Sequence, residues 1–105
     1  MFLQYTTFVI KFPRPAGFDW DKGNINKNLM KHKVFNTECE EVFGNRPLKI
    51  FEDAKHSLLE KRFLAYGITN RNRRLIIVFT LRNQKIRVIS ARDMHKKERG
   101  EYEKT

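Results

Sequence analysis

Arginines set inside strand-like segments are the first residues of this sequence whose type and spacing suit chemistry. In Lys85–Ala91, regular alternation puts Arg87 with Ile89 and Ala91 on one face and Ile86, Val88 and Ser90 on the other; one step further, Arg92 joins the Ser90 side. In Lys61–Thr69, Arg62 shares a face with Leu64 and Tyr66. A guanidinium among apolar neighbours is not stable fully buried without a partner. It belongs at a sheet edge or in a concavity, where its planar fork meets two phosphate oxygens at once. The competing reading for Arg62 is a structural ion pair with Glu60 or Asp53. His32, His56 and His95 each carry an imidazole, the side chain suited to general acid–base chemistry near pH 7. Their isolation, with no HxH or HExxH spacing, argues against a zinc site. His32 also fits a bland role, since an imidazolium at a helix C-terminus suits the dipole. His56 follows Phe51-Glu52-Asp53 in a polar loop, and His95 lies in a basic, solvated segment. Trp20, Tyr66 and Tyr102 are candidates for stacking on bases, although a lone tryptophan more often packs as an anchor. Cys39 sits inside a short helical segment and reads as core.

These side chains need a scaffold. Phe8, Ile10 and Phe12 alternate within residues 1–12 as in a strand, which Pro13 and Pro15 end. Ile25, Leu29 and Met30 give an amphipathic helix over Asp21–His32, with Asp21 as N-cap and Lys22, Lys27 and Lys31 outward. A second helix spans Thr37–Phe43, capped by Asn36, with Thr37 and Glu40 at capping-box spacing and Gly44 at its end. Strands follow at Leu48–Phe51, Lys61–Thr69, Arg73–Leu81 and Lys85–Ala91, the last three joined by short Asn-containing loops that impose antiparallel pairing. A charged helix, opening at Ala91 or Asp93 and docking by few contacts such as Met94 and Tyr102, ends at Lys104. The order predicts a single α+β domain over residues 1–105: a small antiparallel sheet of about four strands, two N-terminal helices and a C-terminal helix.

Composition bounds the partners. The 105 residues carry 22 Lys and Arg against 12 Asp and Glu, a formal charge of +10, and 40% of them are apolar, enough for a modest core. Residues 1–50 hold 8 cations against 5 anions and residues 51–105 hold 14 against 7, so the second half is the expected polyanion surface. The longest apolar run, Leu75–Phe79, is far too short to span a membrane. A single cysteine forms no intrachain disulfide, and no basic stretch precedes the first apolar residues as in a secretory signal. A cytoplasmic protein without cofactor is expected. There is no P-loop, GxGxxG or GxSxG, which removes support for nucleotide-cofactor and serine-hydrolase chemistry.

Several short motifs, in order, resemble one family. Phe18-Asp19-Trp20-Asp21 and Asn28-Leu29-Met30-Lys31-His32-Lys33-Val34 are similar to the opening signature of the BrnT toxins of BrnT/BrnA type II toxin–antitoxin systems. Glu41-Val42-Phe43, Phe51-Glu52-Asp53 with His56, Glu60-Lys61-Arg62-Phe63 with Gly67, Ile86 to Arg92, and Glu98-Arg99 ahead of Tyr102 continue the likeness across residues 18–103. Two departures stand out: Lys33 where family members often carry glycine, and residues 1–17, an extension that reads as an added strand or arm. The resemblance implies a RelE-like ribonuclease fold, an endoribonuclease that cleaves RNA and blocks translation, and a small BrnA-like antitoxin that neutralises it. It also implies contact with operator DNA only through the antitoxin, in a heterotetramer.

Metal-independent RNA cleavage uses the 2′-hydroxyl as nucleophile and needs a base, a cation for the phosphorane and an acid for the leaving 5′-oxygen. Chemistry and motif position assign Arg62 and Arg92 to the phosphate, Arg87 to their support, and His32 and His56 to base and acid, with Glu60 and Lys31 as substitutes and Lys31, Arg87 and Tyr102 as RNA contacts. The competing classes are a non-catalytic RNA- or DNA-binding module and a toxin acting on a protein target.

Overall fold

The computed structural model describes residues 15–56 and 59–104, with His56 described by its backbone alone. The expected strand over residues 1–12 lies outside the described residues. The elements are α1 (Lys27–His32), α2 (Asn36–Gly44), β1 (Lys49–Glu52), a 3-10 turn (Ala54–His56), β2 (Phe63–Ile68), β3 (Arg74–Arg82), β4 (Lys85–Asp93) and α3 (Lys96–Glu103). The four strands form one antiparallel meander in the order β1-β2-β3-β4. The architecture is the α+β arrangement expected from the sequence.

Alternation along the strands gives the sheet two faces. Ala65, Leu75, Ile77, Phe79, Ile86, Val88 and Ala91 point to one, where Val34, Cys39 and Val42 from the α2 region complete the main core. Gly67 allows α2 to approach β2 closely: a Cβ there would lie 2.6 Å from Val42 Cγ1. On the other face Tyr66 and Ile76 pack with Met94 and Tyr102, which dock α3 over one end of the sheet. Tyr102 is buried; its hydroxyl donates to the Pro47 carbonyl at 2.6 Å, and Lys49 Nζ donates to the Tyr102 carbonyl at 2.6 Å.

Helix α1 differs from its expected form. It begins at Lys27 after a series of turns, with Asn26 in the left-handed region (φ 60°) and Asp21 outside it. Its inward residues are amides: Asn24 and Asn28 are buried, whereas Ile25 is 45% and Met30 82% exposed. The cause is the edge of β4, whose outward backbone groups need partners that apolar side chains cannot supply. Asn24 Nδ2 donates to the Val88 carbonyl (3.0 Å), Lys27 Nζ to the Ile89 carbonyl (3.1 Å), and Asn28 Oδ1 accepts from the Ala91 N–H (3.0 Å). Residues 16–19 cover the start of the same edge as a short parallel bridge, with Ala16 N donating to the Gln84 carbonyl and Asp19 N to that of Ile86. Helix α2 is capped one residue earlier than expected. Glu38 accepts from the Phe35 N–H (3.0 Å), while Asn36 bonds Asn26 instead. The αL residue closing α1 is Lys33 (φ 59°), a conformation that glycine adopts at least cost and the reason glycine suits this place.

A β-bulge changes which arginines share a face. Val78 pairs with Ser90 but Phe79 pairs with Val88, so Ile89 is the extra residue. Strict alternation would separate Arg87 from Arg92. The bulge shifts the phase, placing Arg87 opposite Thr80 and Arg92 opposite Ile76, both on the face that carries α3.

Candidate RNA-phosphate site

The end of this face not covered by α3 holds a polar cavity of about 180 Å³ lined by Gly23, Asn24, Lys27, Glu60, Arg62, Thr80, Arg82, Arg87, Val88 and Ile89. That volume has room for about six waters, or for a phosphodiester group with its nearest oxygens. Four cations and one carboxylate meet there. Arg62 stands just before β2 and Arg82 ends β3, two residues past Thr80 and so on the same side. Arg87 comes from β4 across the hairpin, and Lys27 opens α1. The hairpin turn, Asn83–Gln84, has positive φ at both residues, so the strands turn back within two residues and keep Arg82 and Arg87 on neighbouring strands.

Each charge is held in place. Arg87 is gripped by Asp21 through two bonds (Nη1–Oδ2 3.0 Å, Nη2–Oδ1 2.9 Å) and approached by Asp19 at 3.5 Å. Gly23 leaves room for that guanidinium, since a Cβ there would sit 2.9 Å from Arg87 Nη2. Asp21, expected as a helix cap, is thus an arginine clamp that also accepts from the Gly23 N–H. Glu60 accepts two bonds from Arg82, at 3.2 and 3.3 Å. The bond from Arg82, followed by the field of Arg82, Arg62 and Arg87, holds the Glu60 carboxyl below its ordinary value despite partial desolvation. Asp21 is lowered in the same way by Arg87, and Arg87 is raised by Asp21.

The structure brings together Glu60, Arg62 and Arg87 of the residues singled out in the sequence and places the others elsewhere. Arg92 lies four pairing positions along β3 from Arg87, about 13 Å away at the usual strand rise. Its guanidinium makes a two-pronged pair with Glu98 of α3 (2.9 and 3.1 Å), which ties down the helix. His32 ends α1 beside the far end of the sheet, where its carbonyl accepts from Arg73. Lys31 is exposed on the same helix. The backbone of His56 belongs to the turn after β1. Tyr102 and Tyr66 are buried in the α3 contact, which leaves neither ring as a stacking surface. Trp20 packs parallel to Phe18 (6.5 Å) and donates to Glu40 at 2.8 Å, an anchor for the segment before α1. Burial pushes the Cys39 thiol up to about 12, so it stays protonated and inert. Among the described residues, no group of three or more His, Cys, Asp or Glu is arranged to hold a metal ion.

Sequence reasoning missed Lys27 and Arg82. Lys27 sits on the face that the apolar pattern marked as outward. Arg82 falls in a segment read as loop, yet its spacing of two from Thr80 was a usable signal that β3 carries it onto the cavity side.

Cations line a cleft of a small α+β sheet on a chain of charge +10, a basic surface of the kind that attracts polyanions. The profile of the BrnT family, described as the ribonuclease toxin of a type II toxin–antitoxin system, matches residues 20–98. The chain belongs to this family of ribonuclease toxins, and with that membership come an RNA substrate and an antitoxin partner. No curated protein matches the chain. Among the described residues, no helix is long and apolar enough to cross a membrane.

Proposed function

We propose that the toxin holds and cuts RNA in the cavity between α1 and the Arg82–Arg87 hairpin. The observation that carries this reading is that Lys27, Arg62, Arg82 and Arg87 line one cavity with Glu60, whose carboxylate is paired with Arg82. Arg62 and Arg82 grip the scissile phosphate, and Arg87, fixed by Asp21, backs them. A phosphate that takes Arg82 from Glu60 frees a carboxylate beside the ribose. Glu60 then accepts the 2′-hydroxyl proton as that oxygen attacks phosphorus. The bond to the 5′-oxygen breaks, Lys27 gives the leaving oxygen a proton, and the products are a 2′,3′-cyclic phosphate and a 5′-hydroxyl. Arginine charge, fixed before the substrate arrives, stabilises the phosphorane without reorganisation. No step requires a metal ion.

The element order, two helices leading into an antiparallel meander, supports a RelE-like fold. Membership of a type II family supports a cytoplasmic complex of two toxins and two antitoxins in which the antitoxin contacts operator DNA. The mass of the co-purified complex tests that assembly.

The experiment for the site is incubation of labelled RNA with the purified protein in EDTA. Discrete products ending in cyclic phosphate are expected, and Glu60→Gln should slow their formation by about 10²–10⁴, the range of a lost general base. A gel shift without products, or full activity in Glu60→Gln, would falsify the assignment.

A further inference from the structure

The outer side of α1 carries a feature that the cavity does not use. Met30 is 82% exposed, Phe35 55% and Ile25 45%. They are not scattered. Asn26 and Asn36 bond each other twice, Asn26 N to Asn36 Oδ1 at 3.2 Å and Asn36 Nδ2 to Asn26 Oδ1 at 3.0 Å. Ile25 and Phe35 each adjoin one member of that pair, and Met30 lies one helical turn beyond Asn26, its N–H bonded to the Asn26 carbonyl. With Asn28 buried against β4, Met30 points away from the sheet, two residues and about 200° further round the helix. Three large apolar side chains are therefore displayed around one rigid amide pair.

The exposed rim of this patch is dominated by cations; the one carboxylate beside it, that of Glu38 on the Phe35 N–H, is already paired with Arg73. Lys22, Lys27, Lys31 and Lys33 are all exposed, and no Asp or Glu occurs from Lys22 to Thr37. A nucleic acid would use the lysines and have no use for Met30 or Phe35. A second copy of this chain would bring the same lysines against each other. The surface fits an acidic protein segment with apolar anchors. We infer that the antitoxin docks an acidic, apolar-anchored segment on the Ile25–Met30–Phe35 face of α1. This rests on family membership for the partner and on the proposed site for the consequence. Lys27 on the same short helix lines the cavity, and its ammonium bonds the Ile89 carbonyl there. A segment seated on α1 thus brings acidic groups to the mouth of the RNA site and neutralises the cation nearest it.

The test compares wild-type toxin with Met30→Ser/Phe35→Ser, using the cognate antitoxin purified separately for binding and co-expressed for protection. Both positions are exposed, so the variant should keep its circular dichroism spectrum, and RNA cleavage without antitoxin should stay within about twofold of wild type. Antitoxin affinity should fall about 100-fold, the usual size for losing two interface anchors, and co-expression should no longer protect cells. Wild-type affinity should also weaken as salt rises. Unchanged affinity in the double variant overturns the inference. So does an antitoxin-free dimer that the variant splits, which would make a second copy the occupant, and so does loss of cleavage with antitoxin binding intact. Because cleavage is read without antitoxin, failure of the proposed RNA site shows as inactive wild-type protein and is distinct from failure of this docking surface.

Discussion

The two ends of the sheet hold the same residue type in different settings. At the hairpin end, Arg62, Arg82 and Arg87 line an open cavity; Arg82 pairs with Glu60 on its wall, and Arg87 with Asp21 in the turn before α1. At the other end Arg92 pairs with Glu98, Arg74 with Glu103, and Arg73 with both Asp93 and Glu38, while Arg73 also donates to the His32 and Lys33 carbonyls. There the arginines clasp α1, α2 and α3 to the sheet. Exposure does not separate the two ends: the Arg87 side chain is 13% exposed and that of Arg92 37%. What separates them is where the partner sits. Glu38 and Glu98, carried on helices, make their pairs latches, whereas Glu60 on the cavity wall is the partner that the proposed site lets a phosphate displace from Arg82.

The largest effect that follows is on catalysis. Arg62→Ala combined with Arg82→Ala should lower RNA cleavage at least about 10³-fold with the fold retained, as loss of two preorganised charges at a transition state does. Arg92→Ala should leave the rate of folded protein within a few-fold and lower the melting temperature instead. Equal activity loss in both, at equal helical content, would erase the distinction between the ends.

Packing at the latch end gives the next effect. Gly67→Ala pushes a methyl group against Val42 and should cost roughly 1–3 kcal/mol in urea unfolding, without changing cleavage per folded molecule. Acid probes the same region. Arg73 holds the Asp93 carboxyl below its ordinary value and Arg92 does so for Glu98. A lowered folded-state value means stability that is present above the unfolded carboxylate range, about pH 4, and lost as pH falls through the lowered folded values. Thermal melts should therefore be level near neutrality and fall below about pH 4, less steeply in Arg92→Ala. A flat acid profile in the wild type would contradict the latch. The smallest effect is a gain: Lys33→Gly removes an αL side chain at the end of α1 and should add about 1 kcal/mol, read as a higher urea midpoint.

The strands and their order were legible because alternation and Asn-containing loops are local signals. Helix α1 was not, because its inward face is chosen by the backbone of β4, a strand more than fifty residues later, and amides answer that need where apolar spacing suggested Ile25 and Met30. The proposed site is half legible. Arg62, Arg87 and Glu60 stood out by type and position. Arg92 stood out equally and is a latch, because a bulge at Ile89 and an ion pair with Glu98 are tertiary facts that no spacing reveals. The burial of Tyr102 is illegible for the same reason: an aromatic ring in a charged segment reads as surface, and only the fold sets Pro47, Met94 and Lys49 around it.

The central claim is that RNA phosphate enters at the hairpin end. Titrating an isotope-labelled protein with a 2′-deoxy dinucleotide, which binds but has no nucleophile, and mapping backbone amide shifts tests it most directly. The largest shifts should fall on Gly23, Lys27, Arg62, Arg82 and Ile89. Shifts centred on Arg92 to Glu98, with the hairpin end silent, would contradict it.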